Sequence, residues 1–277
     1  MTVTRIEKLE VGAPCFFPRF SPGGERVYFT GDDYKGIWEF TIATGKTRLI
    51  TDDPGSGYGF VVGRNSIAYR RTLLNEKRER KQEIVLKDLS NGTSTTIASG
   101  ADISIPVLSG TSVVYSIGTK TNTSAAAPAD AVVLGIEDTK IALVRNGTKT
   151  VLDPLGNGSY IWPSLDADKL KLLACEMQHG AFTCTLDGTV TSRLGRRNAP
   201  RWTRDGRWIV YMDDRDDGYR TISSDLYCVT PDGKTTIRLT DTPDVIELYP
   251  DCSPAENRIV YCSQRGELYL MTYEVKE

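Results

Sequence analysis

The chain has 277 residues, 34 basic against 36 acidic, with 39% hydrophobic and 25% charged residues and a formal net charge of −2. This composition specifies a folded core rather than disorder, and it argues against a general nucleic-acid grip, which needs a basic surplus. A single histidine, His179, all but excludes His-rich metal sites and nucleophile–histidine relays, and no apolar run approaches the ~20 residues of a bilayer span.

The N-terminal MTVTRIEKLEVG lacks the apolar stretch of a signal peptide, and TRIEKLEVG (4–12) reads as an isolated strand. A repeated phrase follows: a proline, a polar turn, a short apolar strand, a variable loop, another strand, a tight turn and a final strand. The first copy is PRFSPGGERVYFTGDDYKGIWEFTIATGKTRLIT (18–51). In the second, NSIAYRR (65–71) leads to EIVLKDLSNGTSTTIAS (83–99). In the third, IPVLSGTSVVYS (105–116) leads across a long insert to KIALVRNGTKTVLD (140–153). The fourth pairs WPSLDADKLKLLACE (162–176) with GAFTCTLDGTVTSRL (180–194). The fifth runs over 200–240, and the sixth begins PDCSPAENRIVYCSQRGELYLMT (250–272).

Phe29, Tyr69, Tyr115, Ala174, Tyr211 and Tyr261 hold equivalent places, separated by 40, 46, 59, 37 and 50 residues. These spacings sit near the ~40–45 residues of a four-stranded propeller blade. Turns such as NG (91–92), NG (146–147) and DG (232–233) close tight hairpins. The prediction is an all-β, six-bladed β-propeller with four-stranded antiparallel blades, one domain over residues 1–277. The N-terminal strand is expected to close the last blade, whose copy stops after three strands.

Antiparallel alternation sorts the loops. Turns between strands one and two, and three and four, lie on one face. The connections between strands two and three, and between blades, lie on the other. Three long segments fall on the second face: 71–83, 118–140 and 213–225. Irregular loops on a rigid scaffold carry function, so that face and the channel mouth are the expected site.

The fifth copy carries Pro200-Arg201-Trp202, Asp205-Gly206, Ile209-Val210-Tyr211, Asp214-Arg215, Asp225-Leu226-Tyr227, Asp232-Gly233 and Arg238-Leu239-Thr240. This phrase resembles the TolB-type, WD40-like propeller repeat. The resemblance implies a fold more than an activity. Among similar propellers, TolB itself binds partner proteins, and an envelope or periplasmic location is implied if a leader has been removed; otherwise a cytoplasmic one is expected. Prolyl-oligopeptidase-type enzymes need a G-x-S-x-G elbow, which does not occur. Oligogalacturonate lyases need a histidine-rich metal site, which one histidine does not supply.

The expected function is a non-catalytic module or subunit of a larger assembly that binds a protein or peptide through the loop-rich face. The alternative is a carbohydrate-binding or carbohydrate-active propeller using carboxylates at the mouth. No cofactor, metal or catalytic residue is assigned, and nucleic acid is not expected as a partner. The candidate binding residues are Asp33, Tyr34, Asp53, Tyr58, Tyr160, Asp214, Arg215, Tyr219, Asp244 and Glu247. Trp162 is expected to pack between blades, as are Phe17, Ile105 and Tyr249. The acidic run Asp213, Asp214, Asp216 and Asp217 is either a solvated turn or a set of hard oxygen ligands for calcium. The mixed-charge NEKRERKQE (75–83) reads as a solvated loop, and the Thr-, Ser- and Ala-rich 118–131 as a flexible one. Cys175 and Cys184 flank His179-Gly180 and are either a hairpin disulfide or two buried free thiols.

Overall fold

The computed structural model describes residues 1–74, 77–125 and 130–275. Its strands assemble into seven antiparallel sheets arranged as the blades of a propeller. Blades 1 to 7 span residues 16–51, 60–100, 107–123, 132–152, 160–195, 198–238 and 247–274, the last completed by the N-terminal strand. Blades 3 and 4 have three strands each, and the other five have four.

The expected count of six is therefore corrected to seven. The third sequence unit is two blades. Its presumed insert holds two strands: Lys120–Thr123 pairs with Ser112–Ile117, and Val132–Glu137 pairs with Lys140–Arg145. The first, KTNT, carries no apolar residue to announce it. The second lies just after residues 126–129, which are outside the described residues. Lys140–Arg145 and Thr148–Leu152 are thus the second and third strands of blade 4, not the third and fourth of blade 3.

Strand parity explains why the two short blades are consecutive. A four-stranded blade returns the chain to the face where it started; a three-stranded blade delivers it to the opposite face. Two in succession restore the frame. Val132–Glu137 packs against the innermost strands of blades 3 and 5, Val107–Ser109 and Tyr160–Leu165. It therefore occupies the innermost place of blade 4 while running opposite to its neighbours. That reversal puts its hairpin tip, Asp138-Thr139, on the loop-rich face: the amide of Tyr160 donates to the Thr139 carbonyl at 2.9 Å.

Thr2–Leu9 pairs with Leu268–Glu274 as the outer strand of blade 7. Closing the ring with strands from both ends of the chain covers the edge that the last strand would otherwise leave open.

The core lies between successive blades. Phe29, Tyr69, Tyr115, Ala174, Tyr211 and Tyr261 all fall on second strands and are buried. In four blades, two inner-strand residues bulge opposite one of these. Phe17-Pro18 opposes Phe29, Trp162-Pro163 opposes Ala174, Ala199-Pro200 opposes Tyr211, and Tyr249-Pro250 opposes Tyr261. Proline is tolerated there because a bulge leaves no ladder bond for its missing N–H.

Two of the long loops are strand extensions. Ser66–Leu74 and Arg80–Asp88 pair out to Leu74 opposite Arg80, and Ile209–Asp216 and Thr221–Val229 out to Asp216 opposite Thr221. The end of the mixed-charge run 75–83, residues 80–83, is thus strand; Asn75 and Glu76 lie outside the described residues. All six cysteines are free thiols. Cys175 pairs across the hairpin with Ala181, and Cys184 with Leu172, so the two are not opposite each other.

Candidate functional site: the mouth of the central channel

The four bulges re-aim side chains. Phe17, Trp162, Ala199 and Tyr249 have φ of 50°, 53°, 46° and 53°, left-handed values. A non-glycine residue rarely adopts this region, so each position is strained. Such strain persists only where the surrounding structure imposes it, and it concentrates at functional sites. Phe17 and Trp162 both line a cavity of about 890 Å³ at the channel mouth.

An aromatic run crosses the mouth. The Tyr249 and Phe17 ring centroids are 4.1 Å apart, and Phe17 and Tyr34 5.2 Å. Tyr34 meets Tyr58 edge-on, also at 5.2 Å. The Arg70 guanidinium lies over the Tyr58 ring at 5.8 Å and donates to the Ile103 carbonyl at 2.6 Å. Its burial lowers its pKa. Offset and edge geometries of this kind suit the aromatic quadrupole, and the stack holds its rings in place while leaving Tyr58 exposed.

Charge is divided around the wall. The connection between blades 2 and 3 contributes Asp102 to the lining, and blade 4 contributes Glu137 and Asp138. Of these, Glu137 pairs with Lys149 at 2.6 Å. On the other side, Arg19 of blade 1 lines the cavity. Arg201 of blade 6 and Asp251 of blade 7 stand at the same level of their inner strands, directly after the bulge prolines. Asp251 Oδ1 lies 3.7 Å from Arg19 and 3.6 Å from Arg201. Its Oδ2 accepts the Phe20 amide at 2.9 Å. Burial, with the Arg19 charge nearby, draws the Arg201 guanidinium down to about 10.

Of the ten candidate binding residues named from sequence, the structure brings Tyr34 and Tyr58 together in this cavity. The others lie elsewhere. Asp33 is exposed beside Lys35. Asp53 accepts the Tyr69 hydroxyl at 2.7 Å and pairs with Arg71, bracing blade 1 against blade 2. Tyr160 is 1% exposed and donates to Asp153 at 2.7 Å. Asp214 accepts from the Asn198 amide, and Arg215 is exposed on the 213–225 hairpin. Tyr219 is 99% exposed near that hairpin's tip. Asp244 is exposed in the connection to blade 7.

Glu247 is fully buried rather than presented at the mouth. Its Oε1 accepts the Thr242 hydroxyl, while Oε2 has no hydrogen-bond partner. Burial pushes its pKa up to about 7. Among the described residues no cluster of three His, Cys, Asp or Glu side chains could hold a metal ion. In the acidic hairpin, Asp216 accepts the Gly218 amide and Asp217 the amides of Tyr219 and Arg220.

Sequence reasoning missed Arg19, Arg70, Asp102, Glu137 and Asp138 as cavity residues. It placed Phe17 and Trp162 between blades. Trp162 does pack against two interblade clusters, but it also faces the cavity. The recurring aromatic-Pro pairs were the available signal.

No family model matches the chain, and no curated protein matches it in sequence. Solved structures do resemble it. The Cps50 (Swd1) β-propeller domain of Myceliophteria thermophila superposes with a TM-score of 0.64 at 9% identity, covering 99% of both chains. An oligogalacturonate lyase from Vibrio parahaemolyticus gives 0.54 at 12% identity, over 94% of this chain and 77% of that one. TolB from Acinetobacter baumannii gives 0.50 at 18% identity, over 83% of this chain and 55% of that one. At these identities the likeness is of fold, and the chain is a β-propeller with both WD40-type and TolB neighbours.

Proposed function

We infer that this propeller is a binding module that takes a peptide segment of a protein partner across its channel mouth. The aromatic run from Tyr249 through Phe17 and Tyr34 to Tyr58, of which the last three line a cavity of about 890 Å³, carries this reading. Rigid, partly exposed aromatics over a concave surface are the usual anchors of recognition. The blades hold them at little entropic cost, because strained bulges and ring stacking already fix their positions. Propellers of similar fold occur in multiprotein assemblies, among them a mitotic checkpoint complex at 10% identity and a TM-score of 0.59.

Affinity capture from the native source, repeated with the Tyr34→Ala/Tyr58→Ala double variant, tests the proposal. A partner retained by the native protein and by Tyr219→Ala, but lost by the double variant, supports it. A partner captured equally by all three places the interface elsewhere. Carbohydrate is the second reading, favoured by tyrosine rings that share a cavity with Asp102 and Asp138. Saturable glycan binding lost on Tyr58→Ala, with no protein partner, would select it.

A further inference from the structure

Two guanidiniums in the channel share one carboxylate. Arg19 and Arg201 both approach Asp251 Oδ1, at 3.7 and 3.6 Å, longer than a close charge-assisted bond. Among the described residues no other carboxylate lies within ion-pair distance of either arginine. Each also donates to the carbonyl of its own preceding proline, Pro18 at 3.1 Å and Pro200 at 3.4 Å. Five N–H donors per guanidinium leave most of this capacity unspent. The group therefore carries one surplus positive charge inside a channel, where solvent screening is weak. Arg19 is the member that borders the cavity, with its side chain about one-third exposed. A partly buried cation with donors to spare and an open side favours an anion. A planar guanidinium matches a carboxylate best when two parallel hydrogen bonds can form.

We propose that the Arg19–Arg201–Asp251 group, beneath the aromatic run, is a carboxylate subsite that takes an acidic side chain or a free C-terminus of the bound peptide. It rests on the peptide-binding reading above and adds what the channel selects. The opposite wall agrees with it: Asp102 and Asp138 would disfavour a carboxylate there, so an acidic group is steered toward Arg19 and a basic flank toward Asp102 and Asp138.

Three blocked compounds serve as probes: N-acetylglutamate α-amide for the side chain, N-acetylglycine for the terminus, and N-acetylglutamine amide as the neutral control. Each is titrated at low salt into the full chain, read by tryptophan emission, since Trp162 borders the same cavity. At least one acid is expected to bind saturably, the neutral amide not, and whichever acid binds more tightly identifies the source. Arg19→Gln is expected to weaken the acid about tenfold or more, and Arg19→Lys to restore part of that loss. Asp251→Asn raises the surplus charge and is expected to tighten binding, the opposite of what a damaged fold would do. Equal binding of acid and amide, no saturable binding of either acid, or an Arg19→Gln protein that binds like the native one would overturn the subsite. A partner lost with Tyr34→Ala/Tyr58→Ala but kept by Arg19→Gln would overturn it too, while leaving the peptide-binding reading in place.

Discussion

Phe17 and Tyr249 stack with ring centroids 4.1 Å apart, although they stand 232 residues apart in sequence and each is held at positive φ before a proline. They join the innermost strands of blades 1 and 7, the two blades that meet where the ring closes. One contact thus fixes a mouth residue and helps seal the propeller. Tyr249→Ala should remove both contributions, at a cost of ~1–3 kcal/mol for a partly buried aromatic. Urea unfolding measures this. An unchanged midpoint would mean that the stack contributes nothing to closure.

Glu247 should make stability fall with rising pH. Its folded pKa of about 7 lies above its ordinary 4.5. Below 4.5 the carboxyl is neutral in both states. Between those values the unfolded chain ionises first, so folding loses free energy as pH rises, by up to ~3 kcal/mol in all. Glu247→Gln keeps the neutral shape and should flatten this slope. The check is the urea midpoint at several pH values between 4.5 and 7.5; parallel curves for both proteins would refute the assignment.

The N-terminal strand should act as a clasp. Thr2–Leu9 covers the Leu268–Glu274 edge, and Lys8 bonds Glu267 at 2.9 Å. Deleting residues 1–10 exposes an unpaired edge that invites association. The melting temperature should drop by ~5 °C or more, with growth in light scattering before the transition. A truncated protein that melts and scatters like the native one would show that blade 7 holds without its fourth strand.

Gly135 should resist substitution for backbone reasons alone. Its φ is 117°, at the irregularity in blade 4's inner strand, yet a Cβ there would meet nothing within 4 Å. Gly135→Ala should cost ~1–3 kcal/mol from strain without any clash. A neutral effect in chemical denaturation would mean that the strand relaxes to an ordinary conformation, straightening the wall that carries Glu137 and Asp138.

The propeller architecture was legible from the repeats because each full blade restates the same burial problem. A buried residue on the second strand sits opposite an inner-strand pair in blades 1, 5, 6 and 7 and opposite the single Phe60 in blade 2, and tight turns close the hairpins. Periodicity of that kind survives in Phe29, Tyr211 and Tyr261. It fails at residues 118–140, where one strand is the wholly polar KTNT and the next, VVLGIE, belongs to a blade without a fourth strand. Two three-stranded blades restore strand parity together, so the later repeats stay in phase and conceal the missing blade.

The sequence by itself determined the strand-and-turn grammar, the closure by the N-terminal strand and the placing of Tyr34 and Tyr58 at the mouth, because these follow from local alternation and chain direction. Only the tertiary structure decided the seventh blade, the reversed inner strand of blade 4 and the meeting of Arg19, Arg201 and Asp251. Those three lie on different blades, and inner strands converge only when the ring closes. A residue's neighbours across the channel are set by the number of blades and by which residue bulges inward, and neither is encoded in the spacing along any one blade.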